Sequence, residues 1–427
     1  CDRNVPCLSG HCTPLPHTCG NGVVEAAEDC DDGNTADGDS CPGNCLATPC
    51  GPLAVCFDGD PCTRDRCVDA GTGLCAFDVA ADGSSCDLDG RADTADTCRV
   101  GACLPPPPDP ALMILEPDVL ADEAFSFRTI HDRLAADGDG AALFAQWTST
   151  LAVPLTINGF TADARPAFAA SIAALPRDGS GAVDLDAAGF RPAAFVHRVD
   201  LMGPGHCGET RVVFTKDSGL TSPDDRMTVI VEMSVEDDGN GCVTAAQRWA
   251  DLRALEGDAL RAAAAQLWLE RALPARLAAF RTNELVRGPF WELREFHLES
   301  GVLVPSLVKN APAFSVQADP AFREFVRDNA TVFNGGGHGG GVFPSAWLAP
   351  NSRADGSRII IGNLVPSMPG LEANLNTMTC AGCHLTETGT RFMHVEEASA
   401  DRPAALSGFL RGELLYLAAF LDSLLGP

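Results

Sequence analysis

At 427 residues with 45% hydrophobic content, the chain is long enough for two or more domains and a sizeable core. Its formal net charge of −28 argues against a nucleic-acid partner, which would need a basic surface, and disfavours electrostatic docking on anionic lipid. No run approaches the ~18 uninterrupted apolar residues of a membrane helix, so no transmembrane span is expected.

Nineteen cysteines suit an oxidising compartment rather than a reduced cytosol, and fifteen of them lie between Cys1 and Cys103. That first stretch, 1–103, is acidic and rich in Gly, Asp and Thr, too poor in large apolar residues to form a full core, so disulfides are expected to staple it. The odd cysteine total leaves one thiol over, and Cys1 is the natural candidate. A cysteine at the first position resembles mature bacterial lipoproteins, which are cleaved before a cysteine that is then acylated. That resemblance implies a lipid anchor through Cys1 and an extracytoplasmic location.

Cys19-Gly20-Asn21-Gly22-Val23-Val24-Glu25 through Cys30-Asp31-Asp32-Gly33-Asn34, followed by Asp37-Gly38-Asp39-Ser40-Cys41, resembles the cysteine-rich repeats of myxobacterial surface proteins. Phe57-Asp58-Gly59-Asp60-Pro61-Cys62-Thr63 and Asp82-Gly83-Ser84-Ser85-Cys86 look like a second, related repeat. Both resemblances imply an adhesive or spacer role and no enzyme chemistry. Asp87, Asp89, Asp93 and Asp96, set around Gly90, place carboxylates at spacings that can converge on a hard cation, and they are the calcium candidates. The pattern resembles thrombospondin-type calcium repeats, although Ser85 stands where those begin with aspartate. The plain alternative is a solvated acidic loop.

Leu104-Pro105-Pro106-Pro107-Pro108-Asp109-Pro110 reads as a semi-rigid polyproline linker over 104–110. Everything after it, 111–427, has few cysteines, longer apolar periodicity and all five tryptophans, and mixes helix with strand. The expected class is therefore α+β. Arg211-Val212-Val213-Phe214-Thr215 and Met227–Met233 read as an antiparallel hairpin that turns near 217–225. Cys207 and Cys242 would then meet at its open end in a structural disulfide. Trp249, Leu252, Leu255, Leu260, Ala263 and Leu267 recur at helical spacing, and helical text continues to Phe280. Trp291–Leu298 alternates as a strand, while Ala321–Val326 and Ala404–Leu425 read as helices.

The chemistry-bearing motif comes late, at Cys380-Ala381-Gly382-Cys383-His384. A C-x-x-C-H run puts two thiols one helical turn apart to add to two haem vinyl groups, and the next residue then presents imidazole to iron. Cys380 and Cys383 are thus the expected attachment points of one covalent haem c, with His384 the proximal iron ligand. A zinc half-site and a plain disulfide are the alternatives. His394 is the distal candidate, with Met393 and Met378 behind it; a histidine would favour a low potential and a methionine a higher one. Asn334–Gly341 sets six glycines around His338; it is either a surface loop or a backbone that can approach a cofactor closely. His338, His206 and Arg391 are the residues that could serve an open iron site.

The segments Arg281–Glu284 and Trp291–Phe296, together with those around Cys207 and Cys380, resemble uncharacterised bacterial secreted proteins that share the late C-x-x-C-H of single-haem c-type cytochrome domains. That resemblance brings no established activity. The leading expectation is an extracytoplasmic, lipid-anchored c-type cytochrome that transfers electrons at the cell envelope to an unidentified, basic redox partner protein. The alternatives are a peroxidase- or oxygenase-like haem enzyme and a structural or adhesive surface lipoprotein with no redox role.

Overall fold

The computed structural model describes short pieces of the first part, chiefly 62–69, 74–81, 83–86, 97–99 and 102–104, with 7–8, 11–12, 20, 35, 48–49 and 55–56. From 107 onward it describes everything except 217–225, 238, 288–289, 335–342, 355–356, 382–393, 396–401 and 427. Residue contacts divide the chain into two compact units, Cys1–Pro107 and Pro108–Pro427, so the break falls inside the proline run.

In the first unit, β1 (Thr63–Asp69) pairs with β2 (Leu74–Val79), and β3 (Thr97–Arg99) pairs with β4 (Ala102–Leu104). The disulfides Cys56–Cys75, Cys62–Cys98 and Cys86–Cys103 staple these hairpins. Cys62, Cys86, Cys98 and Cys103 form a buried cluster with Ala80 against it, so sulfur takes the place of a hydrophobic core. The calcium candidates Asp87, Asp89, Asp93 and Asp96, and Cys1, lie outside the described residues.

The second unit is built on an antiparallel sheet of eight strands, which confirms the α+β class. It opens with β5 (Met113–Ile114), α1 (Pro117–Leu120), α2 (Phe127–Leu134) and α3 (Gly140–Thr150). A small hairpin of β6 (Leu155–Ile157) and β7 (Phe160–Ala162), then α4 (Pro166–Ala173), lead into the long strands. These are β8 (Phe190–Gly203), β9 (His206–Lys216) and β10 (Met227–Glu236); after α5 (Val243–Ala250) and α6 (Gly257–Arg271) come β11 (Leu277–Arg287), β12 (Phe290–Glu299) and β13 (Val302–Ser306). The spatial order is β13–β12–β11–β10–β9–β8–β5, and a later strand, β14 (Ser352–Ala354), also pairs with β12.

One face of this sheet is apolar along its centre because the strands alternate. Phe195, Val212, Phe214, Val229, Val231, Phe280 and Phe296 lie on it, all buried. Helices cover it through aromatic contacts: Phe127 of α2 stacks on Phe190 at 4.1 Å, and Trp147 of α3 meets Phe280 at 4.9 Å. Trp249 of α5 stacks on His197 at 5.0 Å, and Trp268 of α6 meets Phe195 at 6.1 Å. The Cys207–Cys242 disulfide forms as expected, because His206 pairs with Glu236 at the open end of the β9–β10 hairpin.

The helical reading to Phe280 is corrected. Leu255 is extended and Gly257 has φ +52°, which divides α5 from α6; Pro274 then holds Leu273 extended, and Leu277 onward becomes strand. The helix expected from Ala404 starts at Gly408, as α10 (Gly408–Leu425), because Ser407 caps it by accepting from the Leu410 N–H.

Described residues between Val316 and Met378 supply a smaller apolar cluster. It holds α7 (Pro320–Asp328), α8 (Ala330–Asn334) and α9 (Leu371–Thr377), with Phe322, Val326, Phe333, Phe343, Leu371, Leu375 and Met378 at its core. Asp319 caps α7 and Pro320 occupies its first turn, where a missing N–H costs nothing.

Candidate functional site

The helix that delivers the motif is pinned by asparagines. Asn376 is buried; its amide accepts from the Ile359 N–H at 2.9 Å and donates to the Ile359 carbonyl at 2.9 Å, clamping the 359–361 segment to α9. Asn374 donates to the Asn334 carbonyl at 2.9 Å. The stem of the glycine-rich segment is therefore held against the helix that runs into the C-x-x-C-H. His338 itself, with Cys383, His384, Arg391 and Met393, lies outside the described residues.

Cys380 is half-buried and carries a free thiol. Its N–H donates to the Asn310 carbonyl at 3.1 Å and its Sγ donates to the Lys309 carbonyl at 3.2 Å. The side chain packs beside Leu293, Val308 and Ala311. Burial pushes the thiol up to about 11, even with the Arg281 cation nearby to favour the thiolate. Such a thiol is a poor nucleophile at neutral pH, so it does not suit thiol–disulfide exchange.

Leu293 belongs to the second face of the sheet, and that face is charged. Registers place Arg281 opposite Glu295 and Arg211 opposite Glu232, so the side chains line up across β9 to β12. Arg211 bridges Glu209 at 2.5 Å and Glu232 at 3.1 Å; Arg281 bridges Glu232 at 3.0 Å and Glu295 at 3.0 Å. His297 then donates from Nε2 to Glu295 at 3.1 Å, an assignment that follows because an ionised carboxylate can only accept. Glu295 also accepts the Lys309 N–H at 3.2 Å. Arg198 pairs with Asp200 at 2.5 Å at the β8 end of the row.

Each group's acidity follows from these contacts. Burial would push Glu295 up, but its bonds from His297, Arg281 and the Lys309 N–H outweigh that and hold it down at about 2. Glu232 goes the other way, because its burial exceeds what Arg211 and Arg281 return. His297 is raised above the usual imidazole range, chiefly by its hydrogen bond to Glu295.

A second ion network closes the far end of the apolar face. Arg165 pairs with Glu284 at 3.3 Å and with Glu292; Arg294 bonds Glu292 at 3.3 Å; Arg353 bonds Glu292 at 2.7 Å and Asp163 at 2.8 Å. Thr282 adds its hydroxyl to Glu284 at 2.6 Å. This group ties the Asp163–Arg165 segment and β14 to the sheet.

Among the other sequence candidates, His394 is part-buried and its Nδ1 lies 3.0 Å from the Ser407 hydroxyl, at the cap of α10. Met378 is buried in the apolar cluster around α9. His206 sits at the start of β9, where its carbonyl lies beside the Cys207–Cys242 disulfide. The charged row beside Cys380 was not anticipated from sequence. Its signal was present in Trp291-Glu292-Leu293-Arg294-Glu295-Phe296, where a strand carries charge at both parities. Such a strand is covered on both faces only if its charges pair. No protein-family description, curated protein or solved structure matches the chain.

Proposed function

We propose that the chain is an extracytoplasmic, lipid-anchored c-type cytochrome that passes electrons to a partner protein. The observation that carries this reading is the placement of Cys380, the first cysteine of C-x-x-C-H, which is held by the Asn310 and Lys309 carbonyls just beyond a helix clamped through Asn376. A redox disulfide would want a lowered thiol pKa, whereas burial raises this one. The donor set also fits the group. Cys380 and Cys383 would hold haem by thioether bonds and His384 would ligate its iron, and the haem would supply one-electron chemistry. His394 would ligate through Nε2 with Nδ1 oriented by Ser407, the arrangement in which outer hydrogen bonds fix a ligating imidazole. The disulfides of both units support an oxidising compartment, and no described helix is long and apolar enough to cross a membrane.

The test is visible spectroscopy with intact mass, on protein made in a host that attaches haem c. One covalent haem and sharp reduced bands are expected, with low-spin oxidised iron if a sixth ligand is present. High-spin iron that reacts with peroxide would replace electron transfer by enzyme chemistry. A colourless protein would overturn the haem reading altogether.

A further inference from the structure

Resting on the haem reading, we propose that His297 is a redox-linked proton site, joined to the haem attachment point through Glu295 and the Lys309 peptide. The connection is continuous. His297 Nε2 donates to one oxygen of Glu295, the other oxygen accepts the Lys309 N–H, and the adjoining Asn310 carbonyl accepts the Cys380 N–H at 3.1 Å, a backbone contact that thioether formation at Sγ leaves intact. His297 is 39% exposed while Glu295 is 6% exposed, so the row has one end in water and the other beside the motif. The neighbouring acceptors are committed, since Arg281 occupies Glu295 and Glu232 while Arg211 occupies Glu232 and Glu209. The half-exposed imidazole is the member of this row that can exchange a proton with solvent near neutral pH.

Among the described residues, the charged groups that face it are few. Glu295 and Glu299 come from its own strand and Arg281 from β11, while β13 sets apolar Val304 opposite. Lys309 reaches Glu295 through its backbone N–H, and Cys380, just beyond α9, lies against the Lys309 carbonyl. The carboxylates favour the imidazolium and Arg281 opposes it, with Glu295 dominant.

The balance is one electron and one proton. With haem bound, its reduction would take one electron from an external donor while hydronium from solvent would supply one proton to Nδ1 of His297, because Nε2 is already bonded to Glu295. Reduction removes one positive charge at the haem, which increases the imidazole's proton affinity through the poorly screened, buried row. Linkage then requires the potential to fall as pH rises between the two affinities of His297.

The experiment is spectroelectrochemical titration of the haem-loaded full chain from pH 5.5 to 9.5, beside the His297→Gln variant. Glutamine keeps the donor to Glu295 and removes the titration. A threefold to tenfold difference in proton affinity between redox states is expected, which is about 28 to 59 mV of total change. In His297→Gln the slope in this window disappears while the visible spectrum stays unchanged. Glu295→Gln should move the slope to lower pH, because the imidazolium loses its principal partner. A pH-independent potential in the unaltered chain, or a slope that survives His297→Gln, overturns the coupling and leaves the haem reading standing. A colourless protein overturns both.

Discussion

Arg281→Met isolates what the charged face contributes. The guanidinium is the shared cation between Glu232 and Glu295, which are 1% and 6% exposed. Methionine fills most of the stem volume but leaves both carboxylates short of a partner; Glu232 keeps Arg211, and Glu295 keeps His297 and the Lys309 N–H. Removing one member of a buried pair costs about 3–5 kcal/mol. With a urea slope of about 3 kcal/mol per molar, the midpoint should fall by about 1–1.7 M at pH 7. The loss should shrink on acidification. Glu232 is already raised, so it takes up a proton first and ceases to need a cation. Denaturation of the haem-loaded protein at pH 7 and pH 5, followed by tryptophan fluorescence, makes the comparison. A loss under about 1 kcal/mol at pH 7, or one equal at both pH values, would refute the claim that Arg281 neutralises buried charge.

Trp147→Ala removes a fully buried ring that touches Phe144, Phe280 and Phe296; a loss of about 3–5 kcal/mol is expected by the same denaturation. His131 and His197 are buried and neutral, pushed down to about 4 and about 3 by burial. Their depressed folded-state values mean that stability is complete above the unfolded value of 6.5 and is lost as pH falls toward 4; the two together give a slope of up to about 2.7 kcal/mol per pH unit. His131→Phe should flatten that slope by up to about half, and an unchanged slope would contradict the assignment. Opening the Cys207–Cys242 disulfide with paired alanines releases a 35-residue separation, and should cost about 3.8 kcal/mol in the chain-entropy account, read as a lowered melting temperature.

The elements that declared themselves in sequence were those whose signal is local. Period-two alternation in Arg211–Thr215 and Met227–Met233 found the hairpin, and the hairpin's geometry was enough to join Cys207 to Cys242. The C-x-x-C-H needed no fold to be noticed. Local reading failed where a single backbone feature divides similar text: Ala278 and Ala279 continue the alanine-rich run, yet Pro274 has already turned it into β11. The charged row was invisible for a different reason. Arg211, Glu232, Arg281 and Glu295 are scattered over 85 positions, and only strand register makes them neighbours. A surface charge and a buried ion pair are written with the same letters.

The scarcity of lysine gives the site a chemical handle. The chain contains two lysines; Lys216 is fully buried in β9, whereas Lys309 is exposed and donates its N–H to Glu295 next to Cys380. Apart from the α-amino group, an amine-directed dye or cross-linker therefore has one accessible side chain, one hydrogen bond from the motif. A short cross-linker placed there would capture whatever protein docks beside the C-x-x-C-H, and a dye there would report its arrival without any engineered cysteine in a chain that already has nineteen.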